Sequence, residues 1–167
     1  MTTLIGIDLG VRKLAVATFT DGDAGFSLYH TNVFEAEENV SRHTQLRSIG
    51  MFAQSSVHGY QTDCVFVESV IVGNNHKYSI GLAQTLGAVL ASILPGVRVE
   101  LVDNKVWKRD VVGNGNATKD QISNYIDVTH PAYAPLCEGE HKQDRYDAVC
   151  IGLYGIVVLD RARSLQL

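Results

Sequence analysis

The chain lacks the sequence marks of export, of membrane insertion and of covalent or thiolate-metal stapling. No basic segment leading into a long apolar run stands at its start, and no stretch approaches the roughly 18 consecutive apolar residues of a membrane span. A soluble, unprocessed protein with no membrane partner is expected. Cysteine is scarce: Cys64, Cys137 and Cys150 are odd in number, show no C-x-x-C spacing, and two of them fall inside apolar segments. That pattern excludes a disulfide framework and predicts reduced core thiols in a cytosolic protein. The six histidines show no paired metal-ligand spacing; His141, just before the acidic helix, is within reach of the site but is read first as a loop histidine in solvent. Internal repeats, low-complexity tracts and linkers are absent as well. With 167 residues, 46% of them hydrophobic, the chain is read as one domain, 1–167, with its own core.

Nor is there an excess of positive charge: the formal net charge is −4. The imbalance is local, however. Residues 20–40 carry Asp21, Asp23, Glu35, Glu37 and Glu38 without a Lys or Arg, whereas 105–119 carry Lys105, Lys108, Arg109 and Lys119 against Asp110 alone. Two divalent ions would bring the total to zero, so mild acidity does not exclude nucleic acid.

What the chain does have is four carboxylates placed to converge. Asp8 ends the apolar run Leu4-Ile5-Gly6-Ile7, a buried strand that turns directly after the acid at Gly10. Glu68 repeats the arrangement after Cys64-Val65-Phe66-Val67. Asp144 and Asp147 lie three apart at the start of an apolar segment running from Ala148 to Leu159, one turn apart on one face of a helix. Four such acids repel one another unless a cation intervenes. Hard oxygen donors suit Mg²⁺ or Mn²⁺, and two ions roughly 3.5–4 Å apart clamp both oxygens of a phosphoryl displacement.

Along the chain, Leu4 to Asp8 and Leu14 to Phe19 predict an antiparallel hairpin, and Phe26 to Phe34 a third strand. Glu37 to Gln54 has loosely helical spacing and leads into the strand that carries Glu68, an order of β-β-β-α-β. Tyr78 to Leu94 predicts a helix apolar on more than one side, with small residues at Gly81, Gly87, Ala88 and Ala91 and a stop at Pro95-Gly96. A strand from Val97 to Val102 precedes the basic stretch. Thr118 and Gln121 then have capping-box spacing, which predicts a helix start with Lys119 at its tip, a place that favours phosphate.

Taken together, these residues resemble the RuvC family of Holliday-junction resolvases, in the ribonuclease H-like superfamily, over nearly the whole length. The resemblance rests on Ile5-Gly6-Ile7-Asp8-Leu9-Gly10, Val65-Phe66-Val67-Glu68, Leu82-Ala83-Gln84-Thr85-Leu86-Gly87, Val111-Val112-Gly113-Asn114-Gly115, and Asp144 with Asp147. It implies an α/β fold, a mixed five-stranded sheet flanked by helices, with Asp8, Glu68, Asp144 and Asp147 as the catalytic, metal-binding acids. Lys108 and Lys119 match positions at which the family uses lysines near DNA, and Lys105, Arg109, Ile71 and Arg145 complete the expected DNA-binding set. Three departures stand out: Leu9 replaces a common proline, Ile71 lies where an aromatic residue often stacks at the junction centre, and Arg145 and Tyr146 replace small residues. Tyr78 or Trp107 is the expected substitute for the missing aromatic.

The implied activity is Mg²⁺-dependent hydrolysis of phosphodiesters at four-way DNA junctions, with two ions per site, Mn²⁺ as a substitute, and 5′-phosphate products. A near two-fold junction calls for a C₂ homodimer, with Tyr78 to Leu94 as its candidate surface. A branch-migration motor is a conceivable partner, and the expected location is the cytoplasm, at the nucleoid or in a host if the source is viral. Three rivals remain in view: a nuclease of the same fold acting on flaps, other branched DNA or RNA; an actin-like ATPase fragment; and a non-catalytic junction-binding protein. The chain has room for one lobe where an ATPase needs two, and the presence of all four acids speaks against a mere binder.

Overall fold

The computed structural model describes residues 2–70 and 73–165. Five strands form one sheet in the order β3-β2-β1-β4-β5. They are β1 (Thr3–Leu9), β2 (Lys13–Gly22), β3 (Gly25–Glu35), β4 (Cys64–Glu68) and β5 (Arg98–Val102). The first three pair antiparallel, as short connections permit, and β4 and β5 join parallel through the helical crossovers that such pairs need. The helices are α1 (Arg42–Gly59), α2 (His76–Ser92), α3 (Asn104–Trp107), α4 (Lys119–Thr129) and α5 (Lys142–Ser164).

Strand periodicity sorts the side chains into two cores. Ile5, Ile7, Leu14, Val16, Val65 and Val67 point to one face, where α1 and α2 cover them. Leu4, Ala15, Ala17, Phe19, Cys64 and Phe66 point to the other, against α5 and α4. The central strands are buried on both faces, which is why they read as continuous apolar runs. The period of two also aims Asp8, Glu68 and Lys13 at the α5 face, because each shares parity with residues of the second core.

The distance between α5 and the sheet is set by glycine. A Cβ on Gly6 would lie 2.3 Å from the Ala148 carbonyl oxygen and 2.4 Å from the Gly152 nitrogen, and one on Gly152 would lie 2.2 Å from the Phe19 ring. Backbone therefore meets backbone where α5 crosses β1, next to the turn that carries Asp144 and Asp147.

Several expectations shift. The first helix runs from Arg42, not Glu37, because Ser41 caps it by accepting a hydrogen bond from the Thr44 amide. Residues 104–112, read only as a basic stretch, form α3 and a π-helical turn (Lys108–Val112) closed by Gly113 at φ 86°. All three cysteines are buried and free, as expected. No helix among the described residues is long and apolar enough to cross a membrane.

Candidate active site

A cleft of about 520 Å³ opens at the ends of β1 and β4, and Asp8, Glu68, Asp144 and Asp147 all line it. Its other walls include Lys13, Ser69, Val70, Tyr78, Asn104, Lys105 and Lys119. Adjacent parallel strands bring the first two acids together: Ile7 is registered with Val67, so Asp8 and Glu68 follow side by side. The first turn of α5 supplies Asp144, and the next residue on the same face is Asp147. A helix N-terminus accommodates negative charge there.

The electrostatics are those of an acid cluster short of cations. Burial, then the charges of Asp147 and Glu68, a hydrogen bond with Glu68 and the charge of Asp144 together hold the Asp8 carboxyl well above its ordinary value. Burial and the Glu68 charge push Asp147 up to about 6, against the Gln143 hydrogen bond and the charges of Lys108 and Lys119, which pull it down. Both lysines thus lie close enough for their charge to reach Asp147.

Three contacts at the acids had no signal in the sequence, and a fourth falls on His141. Lys13 donates from Nζ to Asp144 Oδ2 at 2.6 Å, and this hydrogen bond holds the ammonium above the ordinary lysine range. Asn104 Nδ2 donates to Glu68 Oε1. Gln143 Nε2 donates to Asp147 Oδ1 at 3.1 Å. His141 is half-buried, with Nδ1 3.5 Å from Asp144 and Nε2 3.4 Å from Glu35, so the expectation of a histidine in solvent is corrected. The Lys13 and Asn104 contacts join residues remote in sequence, and only the folded sheet brings them together.

The expected DNA-binding residues separate. Lys105 and Lys119 line the cleft, and Lys119 opens α4 behind a complete capping box of Thr118 and Gln121. Lys108 lies over the Trp107 ring at 5.3 Å. Arg109 is exposed and engages Asp110 at 2.8 Å. Arg145 turns away from the cleft, donating from one guanidinium nitrogen to the Thr31 carbonyl and hydroxyl oxygens, both at 2.9 Å, which ties α5 to β3. There it braces the fold and does not join Lys105 and Lys119 in lining the cleft. Trp107 is only 1% exposed and packs in the core, so of the two aromatic substitutes only Tyr78, at the cleft, is available. Ile71 lies outside the described residues.

The donor set is all hard oxygen, and Asp8 and Asp147 are held above their ordinary value first by burial and then by neighbouring carboxylates, a repulsion that a divalent cation relieves. As they stand, no three His, Cys, Asp or Glu side chains among the described residues are arranged to hold an ion. The carboxylates ring the cleft without closing on one point, and Asp144 is drawn to Lys13.

Comparison with known proteins agrees with this geometry. A family model described as "Crossover junction endodeoxyribonuclease RuvC" matches residues 4–152. The crossover junction endodeoxyribonuclease RuvC of Chlorobaculum parvum is 24% identical over 165 residues, covering 98% of this chain and 83% of that protein. The corresponding protein of Brachyspira hyodysenteriae is 24% identical over 152 residues, covering 89% and 90%. Among solved structures, Thermus thermophilus RuvC in complex with Holliday junction substrate superposes with a TM-score of 0.75 at 21% identity, over 92% of each chain. The yeast mitochondrial Holliday junction resolvase Ydc2 gives 0.64 at 10% identity, over 90% of this chain and 77% of that one. These two likenesses establish the fold.

Proposed function

Because the chain belongs to the RuvC family of crossover junction endodeoxyribonucleases, we propose that its cleft hydrolyses DNA phosphodiesters at four-way junctions, with Asp8, Glu68, Asp144 and Asp147 as the metal-holding set. The observation that carries the assignment is convergence: four acids from three elements line one cleft, and their mutual repulsion calls for a divalent cation. Nucleases of this family are metal-dependent. Two Mg²⁺ per site is the stoichiometry proposed here, with Mn²⁺ as a substitute. The four carboxylates would hold such ions, which would supply Lewis acidity toward an attacking water and a leaving 3′ oxygen.

The chain's own groups do the rest. Asn104 and Gln143 fix the rotamers of Glu68 and Asp147, so both carboxylates meet substrate pre-oriented. Lys105, Lys108 and Lys119 neutralise phosphates on either side of the scissile bond, and the free amides at the start of α4 add a phosphate contact. Tyr78, exposed at the cleft, is the aromatic group offered to unstacked bases at the junction centre. Products carry 5′-phosphate ends.

A four-way junction presents two equivalent strands, and a C₂ dimer presents two clefts. The outer face of α2 is the surface proposed for it: Ile80, Ala83, Gly87 and Leu90 lie on one exposed stripe, and Ile80 is 59% exposed. The cytoplasm is the proposed location.

The test is a panel of strand-labelled substrates with Mg²⁺: four-way junction, flap, linear duplex and RNA–DNA hybrid. Symmetric nicks in the junction alone are expected. Cleavage of the flap or hybrid with an intact junction would transfer the same cleft to a different substrate.

A further inference from the structure

Lys13 enters the cleft from β2, whereas Lys105 and Lys119 come from α3 and α4. It is the first residue of β2, and the tight turn before it is closed by the Gly10 amide donating to the Lys13 carbonyl at 2.9 Å. Its side chain shares a face with Ala15 and Ala17, so it must point to the α5 side. There it meets Asp144 at 2.6 Å, with side-chain exposures of 33% for the lysine and 22% for the aspartate. His141 faces the same carboxylate at 3.5 Å from the helix cap. Asp144 is also the acid that acts least on Asp8, after Asp147 and Glu68. The four carboxylates are therefore not equivalent: among the described residues, Asp144 is the one paired to a lysine.

We infer that Lys13 is a positioning residue that makes metal loading depend on DNA: its ammonium holds Asp144 in place of a divalent ion, and releases it when substrate phosphate arrives to take the ammonium over. The inference rests on the four-acid reading given above. It follows that an ion drawn in by Asp8, Glu68 and Asp147 must close those side chains around it from the open arrangement of the free cleft, while the position that needs Asp144 fills weakly until DNA is bound. The exchange balances charge: Asp144 loses one cationic partner and gains another, while Lys13 passes from a carboxylate oxygen to a phosphate oxygen. It also confines full activity to the complex, because a free protein with its second position blocked has no complete cleavage centre.

Direct binding reads this without cleavage. Mn²⁺ is titrated into the full chain without DNA, free ion being followed by its electron paramagnetic resonance signal, for the wild type, Lys13→Met and Lys13→Arg. One tighter and one weaker ion are expected for the wild type and for Lys13→Arg, which keeps the charge. Lys13→Met is expected to bind the second ion on the order of tenfold more tightly, the scale of an ordinary coupling between sites. Coincident wild-type and Lys13→Met isotherms would overturn the role of Lys13 alone, whereas no Mn²⁺ binding by any variant would overturn it together with the four-acid site. A second measurement is independent of how well Lys13→Met folds: adding a four-way junction made uncleavable at its centre to the wild type should raise affinity for the weaker Mn²⁺, after subtraction of the ion bound by the junction alone. An unchanged affinity would contradict the coupling.

Discussion

Asp147 shows most clearly that the cleft is built against stability. Its carboxyl is held up to about 6 against an ordinary value of 3.8, chiefly by burial. An acid whose folded value is raised binds its proton more tightly folded than unfolded. The folded state therefore loses stability as pH climbs from about 4 through about 6, and carries the whole penalty above that window. Asp8, pushed in the same direction, adds to it. Asp147→Asn removes the charge and should raise the metal-free Tm at pH 8 by a few degrees, on the order of 1 kcal/mol, with little effect at pH 4. Thermal melts at both pH values in EDTA check this, and saturating Mg²⁺ should raise the wild-type Tm at pH 8 but not at pH 4. A variant less stable than the wild type at pH 8 would show that the carboxylate is satisfied where it stands. These acids were legible in the sequence because each closes an apolar run or opens a helix. Lys13 and Asn104 were not, since their partners are 131 and 36 residues away and no local pattern connects them.

At the scale of elements, the decisive contact is α5 on β1. Gly→Ala at a site with room stabilises by about 0.4–1 kcal/mol, because the unfolded chain loses freedom. At Gly6 the added carbon meets backbone at 2.3 Å, which side-chain rotation does not relieve. Gly6→Ala should therefore destabilise by about 3 kcal/mol or more, read as a lower urea midpoint, and should cut cleavage by displacing Asp144 and Asp147 from Asp8. A midpoint at or above the wild-type value would mean that α5 moves freely on the sheet. The strands were readable because the central ones are apolar on both faces, and the start of α4 because Thr118 and Gln121 satisfy two orphan amides. The start of α1 was misplaced by five residues, since Glu37 to Val40 carry no cap and Ser41 does. The helical turns at 104–112 escaped notice because a four-residue helix followed by a five-residue turn is too short to show an apolar period.

For the whole molecule, the central relation is between one cleft per chain and a substrate with two equivalent strands. The proposed dimer on α2 predicts that Ile80→Asp with Leu90→Asp sediments as a monomer where the wild type sediments at twice the mass. The same variant should nick only one strand of a junction per encounter; a wild-type monomer in sedimentation would contradict this arrangement. Family and architecture were legible from the order of motifs across the chain, whereas the state of association is a property of exposed side chains such as Ile80, which no periodicity separates from core. The most direct measurement is single-turnover cleavage of a strand-labelled four-way junction in Mg²⁺ by the wild type and by Glu68→Gln, with binding measured in parallel. The account predicts paired 5′-phosphate nicks for the wild type, and for Glu68→Gln at least a 100-fold slower reaction, about 2.7 kcal/mol of transition-state stabilisation, with binding retained. Cleavage by Glu68→Gln at the wild-type rate would contradict it.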